Sequence, residues 1–264
     1  MKYIFDNDLH IHSQLSSCSK NPEQNCERIL KYAKDNGLKT ICLTDHFWDE
    51  SVEGASNWYA PQNYEHISAA KPLPQDENVR FLFGCETELN KHLTLGVSKE
   101  KFDLFDFIII PITHFHMKDY TLSEQEAADA QSKAKAWLKR FEAVLDMDLP
   151  FHKIGFAHLT CGLISRDRQE FRNVIELLPE KELERLFTKA ARLGAGIELN
   201  ADDMSFSEEE ASIVLRPYKI AKKCGCKFYL GSDSHKPDNF NNVKNVFSRA
   251  LSLLELTEDD KFKI

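Results

Sequence analysis

The sequence lacks any run of apolar residues long enough to cross a bilayer. Its longest, Phe105–Ile112, is broken by Asp106, whereas a spanning helix needs about 20 such residues. A basic surplus is also missing: 34 Lys and Arg stand against 42 Asp and Glu, a net charge of −8. Duplex nucleic acid is therefore not an expected partner, because binding it displaces counterions with Lys and Arg. No Ser/Gly linker or low-complexity stretch divides the chain, so one domain over residues 1–264 is expected. There is no Gly-x-Ser-x-Gly elbow and no Walker-type glycine loop. The seven cysteines are scattered, and Cys224 and Cys226, one residue apart, match neither a zinc knuckle nor a thioredoxin motif. They read as small apolar side chains of a reduced protein. The start, Met1-Lys2-Tyr3-Ile4-Phe5-Asp6, meets an acidic residue at once, unlike a secretory signal. With no membrane segment either, a cytoplasmic protein is the expectation.

What the sequence does have is alternation. Short β-rich runs at Tyr3–His10, Thr40–Leu43, Arg80–Cys85, Asp106–Ile112, Ile154–His158, Gly196–Leu199 and Lys227–Leu230 are separated by helical patterns. These helices are expected over Pro22–Asn36 (stopped by Gly37), Ser123–Leu145 (opened by Ser-Glu-Gln-Glu), Pro179–Leu193, Ser207–Lys223 and Asn241–Leu254. Repeated strand–helix alternation implies an α/β fold of parallel strands, either a barrel or an open doubly wound sheet. Two connections stand out: Trp48–Gln75, with Trp58 and Tyr59, and the acidic Ala201–Ser207. Long loops of this kind are often functional.

The histidines carry the chemistry. His10 and His12 sit at i and i+2, the spacing that puts two imidazoles on one face of a strand, with Leu9 and Ile11 on the other. Neutral imidazole is a common ligand for zinc, iron and related ions. The pattern recurs at strand ends: Asp45-His46, Glu86, His114-Phe115-His116, His158, Glu198-Leu199-Asn200 and Asp233-Ser234-His235. Barrel enzymes build their sites at the C-terminal ends of their strands. His66, His92 and His152 fall outside this rule and read as solvated or locally bonded. A carboxylate such as Glu86 can bridge two cations, and two cations about 3.5–4 Å apart can share a hydroxide and stabilise displacement at phosphorus.

His10-Ile11-His12, Thr44-Asp45-His46, Glu86, His114, His158 and Asp233-Ser234-His235 together resemble the successive motifs of the PHP (polymerase and histidinol phosphatase) superfamily. The resemblance runs from residue 8 to about 237. It implies a distorted (β/α)7 TIM-like barrel of parallel strands and two or three divalent ions of zinc, manganese or iron. By that resemblance His10, His12, Glu86 and Asp233 hold one metal. Glu86 bridges to a second held by His114 and His158, while His46 and His235 hold a third. Asp233 also orients the bridging hydroxide, and His46 and His235 stand with it as catalytic residues. Family members usually carry a further histidine for the third metal where this chain has Cys18; thiolate is a good zinc ligand, so Cys18 either substitutes or leaves the third metal weak or absent.

The implied activity is hydrolysis of a small phosphomonoester, in the manner of a histidinol phosphatase, through a metal-bridging hydroxide. Arg166, Arg168, Lys236 and Asn200 are the candidate substrate-binding residues, since guanidinium forks onto phosphate. Asp202-Asp203 stand where histidinol-phosphatase relatives tend to have an arginine, which counts against histidinol phosphate itself. The alternatives are a phosphodiesterase or exonuclease of the same fold, which would need basic residues among the aromatics, or a catalytically silent metal-binding domain. Oligomeric state is left open.

Overall fold

The structure is a computed structural model describing residues 1–264. Nine strands appear: β1 (Asn7–Ile11), β2 (Thr40–Leu43), β3 (His46–Phe47), β4 (Arg80–Phe83), β5 (Cys85–Thr87), β6 (Ile108–Pro111), β7 (Ile154–Ala157), β8 (Gly196–Asn200) and β9 (Lys227–Gly231). The helices are α1 (Cys26–Asn36), α2 (Tyr64–Ser68), α3 (Ala130–Leu145), α4 (Arg168–Leu177), α5 (Glu180–Leu193), α6 (Ala211–Val214), α7 (Arg216–Lys223) and α8 (Val243–Leu253). None is long and apolar enough to cross a membrane.

All strand pairs are parallel, in the orders β1-β2-β4 and β3-β5-β6-β7-β8-β9. The two sheets are halves of one. Thr44–Asp45 interrupts a stave running from β2 into β3, and Gly84 interrupts one running from β4 into β5. Gly84 is required there, because a Cβ would collide with the Phe107 carbonyl and with Cys42 Sγ at 2.8 Å. Counted as kinked staves, the strands number seven. The outer edges, β1 and β9, meet through His12 N–H to Ser234 O (3.1 Å) and Asp233 N–H to His10 O (2.7 Å). Side chains bridge the same seam: Leu230 N–H donates to Asn7 Oδ1 and Ser232 N–H to Asp8 Oδ1. This is the distorted barrel expected from the sequence, its seam closed by a few bonds in place of a regular ladder.

Alternation along each strand divides the apolar residues. Leu9, Cys42, Leu82, Ile109, Ala157 and Tyr229 fill the inside with Phe107 and Phe262, while the outward set packs under the helices as the larger core. Strict alternation fails in β1, where the register shifts between Asp8 and Ile11. Leu9 joins the interior and Ile11 the outer core, so the expectation that they share a face is corrected. The irregularity lets Leu9 floor the interior while His10, next along the chain, still faces inward.

The helices begin where side chains cap them: Asn25 for α1, Asp129 for α3 and Asp167 for α4 accept from the third residue on. Gly37 and Gly194 end α1 and α5 in the left-handed conformation. The Ser123–Glu126 box is formed, but it closes a turn and α3 starts seven residues later. α4 has no counterpart among the helices expected from the sequence, and 207–223, expected as one helix, holds a 3-10 turn, α6 and α7.

Candidate metal centre

The strand ends bring together the residues that the sequence scattered. Glu86, buried at the end of β5, is the hub. Its Oε2 lies 3.4 Å from His10 Nε2, 3.3 Å from His12 Nε2 and 3.1 Å from His46 Nδ1. Its Oε1 lies 3.8 Å from His114 Nε2 and 3.7 Å from His158 Nε2. Asp233 sits opposite, with Oδ1 at 3.1 Å from His12 and Oδ2 at 3.5 Å from His158. His235 stacks on His12 with ring centroids 4.4 Å apart. Cys18 Sγ is grouped with donor atoms of His12, His46 and His235, all within 4.8 Å of one another.

A second layer fixes which nitrogen of each ring carries a proton. His10 Nδ1 is 2.6 Å from Glu198 Oε1, and His114 Nδ1 is 2.8 Å from Glu88 Oε2. Ser16 Oγ donates to Asp45, so it accepts from His12 Nδ1 at 2.9 Å. His235 Nδ1 lies 2.7 Å from the Asp233 carbonyl. Carboxylates and carbonyls only accept, so in each ring Nδ1 holds the hydrogen and Nε2 keeps its lone pair. His10 Nε2 and His12 Nε2 then face each other as acceptors at 3.1 Å. That arrangement is repulsive unless a cation or a shared proton lies between them. Glu86 Oε1 and His46 Nδ1 are buried without any hydrogen-bond partner, which is costly unless something else satisfies them. The donor set, mostly imidazole and carboxylate with one thiol, fits divalent zinc, iron or manganese.

The electrostatics agree. Burial would raise the Glu86 carboxyl, but the imidazoles around it, His46 and His10 foremost, hold it well below the usual carboxylate range. Burial likewise opposes protonation of His12, yet Asp233 and Glu86 push it up to about 9. Burial drives His46 the other way, well below its ordinary value. The cluster thus concentrates negative charge that calls for positive charge among the rings.

The backbone is bent to achieve this. His158 and Asp233 both adopt left-handed φ, 61° and 51°, a conformation that costs non-glycine residues about 1–3 kcal/mol and concentrates at functional sites. Gly231 lets β9 pass close behind the centre. A Cβ there would overlap the Glu198 carboxylate and lie 2.7 Å from His10 Cβ.

Glu88, Ser16 and Arg140 have no place in the strand-end pattern of the sequence; Asp45 and Glu198 do, without an assigned role, and here they hold Ser16 and His10. Arg140 is 2% exposed in α3. It donates to Glu88 Oε1 (3.0 Å) and to the carbonyls of Ile112, Thr121 and Leu89. The available signal was a charge on the apolar stripe Ala136, Trp137, Phe141, Val144.

The four residues expected to bind substrate do not line the cavity beside the centre. Arg168 is engaged by Glu210 and lies over Phe171, 4.2 Å from its centroid. Asn200 is fully buried; its Oδ1 accepts from the Asp202 and Asp203 amides and its amide donates to Glu198, which consumes it in the turn after β8. Arg166 and Lys236 are exposed and do not line the cavity beside the centre. That cavity holds about 490 Å3 and is walled by Trp58, Tyr59 and Tyr120 among others, with His46, His114, His158 and Asp233 at its base. His116 also lines it. His66 binds the Leu15 carbonyl locally, as expected.

The PHP domain family model matches residues 8–204. The chain belongs to the PHP domain family. That membership makes it a metal-dependent hydrolase by class. Asp233 and His235 lie beyond the matched residues, and it is the geometry that joins them to the centre. No curated protein sequence matches the chain. Among solved structures this PHP protein is similar to a histidinol phosphate phosphatase of Lactococcus lactis subsp. lactis, solved with zinc, L-histidinol and phosphate. The two share 15% identity and a TM-score of 0.52 over 93% of each chain. A likeness at that identity concerns the fold, and it agrees with the barrel. A probable 2-pyrone-4,6-dicarboxylic acid hydrolase of Acinetobacter baumannii, with citric acid bound, shows 10% identity and a TM-score of 0.44 over 97% of each chain. That likeness is too weak to bear on the chemistry.

Proposed function

We propose that this PHP protein is a phosphoesterase that releases phosphate from a small phosphomonoester. The observation that carries the reading is the convergence of Nε2 lone pairs and two carboxylates on one buried point beside an open cavity. The donor groups divide naturally: His10, His12 and Glu86 with Asp233; Glu86, His114 and His158; and His46, His235 and Cys18. They would hold two or three divalent cations, and Cys18 in the third group would favour zinc or iron over manganese. When bound, such cations withdraw charge from phosphoryl oxygens and lower the pKa of water.

The chain's own residues do the rest. Glu198, Glu88 and Ser16 hold His10, His114 and His12 in the tautomer that presents Nε2. Asp233, at the mouth of β9, faces both His12 and His158 and is placed to orient the attacking water. Where the third group holds no cation, His46 and His235, which line the cavity, are the imidazoles positioned to carry a proton to the leaving oxygen. The cavity walls exclude bulk water from one side of the reaction. A diesterase acting along a nucleic-acid strand is not favoured, because no Lys or Arg lines the cavity.

The test is a panel of phosphomonoesters offered to metal-loaded protein, beside a His10→Ala/His12→Ala control. Turnover by the first and not by the second supports the reading. Equal rates refute it.

A further inference from the structure

Hydrolysis at a phosphoester says nothing of the alcohol, but the cavity does. Six large apolar side chains are exposed in the whole protein: Met1, Ile4, Trp58, Leu163, Leu177 and Leu253. Two of them, Trp58 at 37% and Leu163 at 38%, belong to the wall of the cavity that opens on the metal centre. They arrive from loops more than a hundred residues apart, one after β3 and one in the 3-10 turn after β7. Folding leaves apolar surface in water at some cost. Two such side chains facing the same space beside a reactive centre mark a ligand contact better than scattered ones do.

The wall is also firm. Trp58 is set edge-on against His46 (centroids 4.9 Å, 70°) and Tyr59 (4.7 Å, 86°). Tyr59 stacks on Tyr120 at 5.8 Å, and both lean on Trp48 at 6.0 Å. Aromatic faces and edges held this way favour a flat ring as the occupant.

Charge narrows the class further. No Lys or Arg lines the cavity, so a second phosphate or a carboxylate on the organic half would go unpaired. The carboxylates in the lining are Glu86 and Asp233, and both are committed to imidazoles. An ammonium group would therefore lack a counter-ion as well, and burying an unpaired charge is heavily penalised.

We propose that the organic half of the substrate is an uncharged aromatic group seated against Trp58 and Leu163, so that the protein prefers arylalkyl phosphomonoesters. This rests on the phosphoesterase reading above and adds the substrate class.

The experiment compares three alkyl monoesters of similar leaving-group chemistry: (naphthalen-2-yl)methyl phosphate, glycerol 2-phosphate and 4-aminobutyl phosphate. The naphthyl ester should exceed both others by roughly tenfold or more in kcat/KM, the scale of discrimination that apolar pocket contacts give. Trp58→Ala and Leu163→Ala should each shrink that ratio, with metal content per chain measured alongside to confirm an intact centre. Calorimetry with the neutral alcohol (naphthalen-2-yl)methanol should show binding to the unaltered protein and weaker binding to both variants. Equal kcat/KM for the three esters, preference for the amine, or no binding of the alcohol would each overturn the proposal. If metal-loaded protein turns over none of the esters, the phosphoesterase reading falls, and calorimetry still decides whether the cavity takes an uncharged aromatic.

Discussion

Arg140 offers the sharpest test of how the centre is held. Its guanidinium is buried, donating to Glu88 and to the carbonyls of Ile112, Thr121 and Leu89. Glu88 in turn orients His114. Replacing Arg140 with methionine keeps most of the volume but strands a buried carboxylate and removes donors from those carbonyls. Breaking a buried ion pair from one side costs about 3–5 kcal/mol, and at about 2–4 °C per kcal/mol for a chain near this size the midpoint should fall by roughly 10 °C. Glu88→Gln neutralises the stranded charge, so the double variant should be less destabilised than the sum of the singles, a coupling of about 1 kcal/mol or more. Urea unfolding of the four proteins, with metal content measured on each, supplies the numbers. A loss under about 1 kcal/mol for Arg140→Met, or strict additivity, would refute the claim that Arg140 and Glu88 form one buried unit. Unchanged metal content in a further variant, Glu88→Ala, would show that His114 does not depend on it.

Other expectations follow from the same geometry. Gly231→Ala drives a methyl group into Glu198 and His10; it should cost about 1–3 kcal/mol and lower metal content, and a stable, fully loaded variant would contradict this. Removing metal with a chelator should lower the thermal midpoint, since a ligand at about 100 times its Kd stabilises by about 2.7 kcal/mol; an unchanged midpoint would argue that nothing binds the folded centre. Cobalt-loaded protein should show a thiolate-to-metal charge-transfer band that Cys18→Ser abolishes, and persistence of the band in the variant would remove Cys18 from the ligand set. His66→Ala, at a surface histidine bonded only to the Leu15 carbonyl, should leave metal content unchanged.

The inner residues of the centre were legible because strand ends repeat a simple rule: His46, Glu86, His114, His158 and Asp233 each stand at or just past the end of an apolar run, and His10 alternates with His12 along the first strand. Their partners were not. Glu88 lies just past β5 and Arg140 on a helix some fifty residues away, so nothing local in the sequence links them to His114. The barrel interior was readable from alternation except in β1, where the register shift places Leu9 and His10 both inward. Arg168 shows why a substrate contact is hard to read from sequence. A guanidinium at a helix start looks the same in sequence whether it meets phosphate or, as here, a carboxylate such as Glu210.

The central claim is that Glu86, Asp233 and the imidazoles around them are a cation site, and elemental analysis of protein prepared without chelators tests it most directly. Two or three zinc, iron or manganese ions per chain are predicted, falling to one or fewer in Glu86→Ala that remains folded. Fewer than one ion per chain in the unaltered protein, or a Glu86→Ala variant with its full complement, would contradict it.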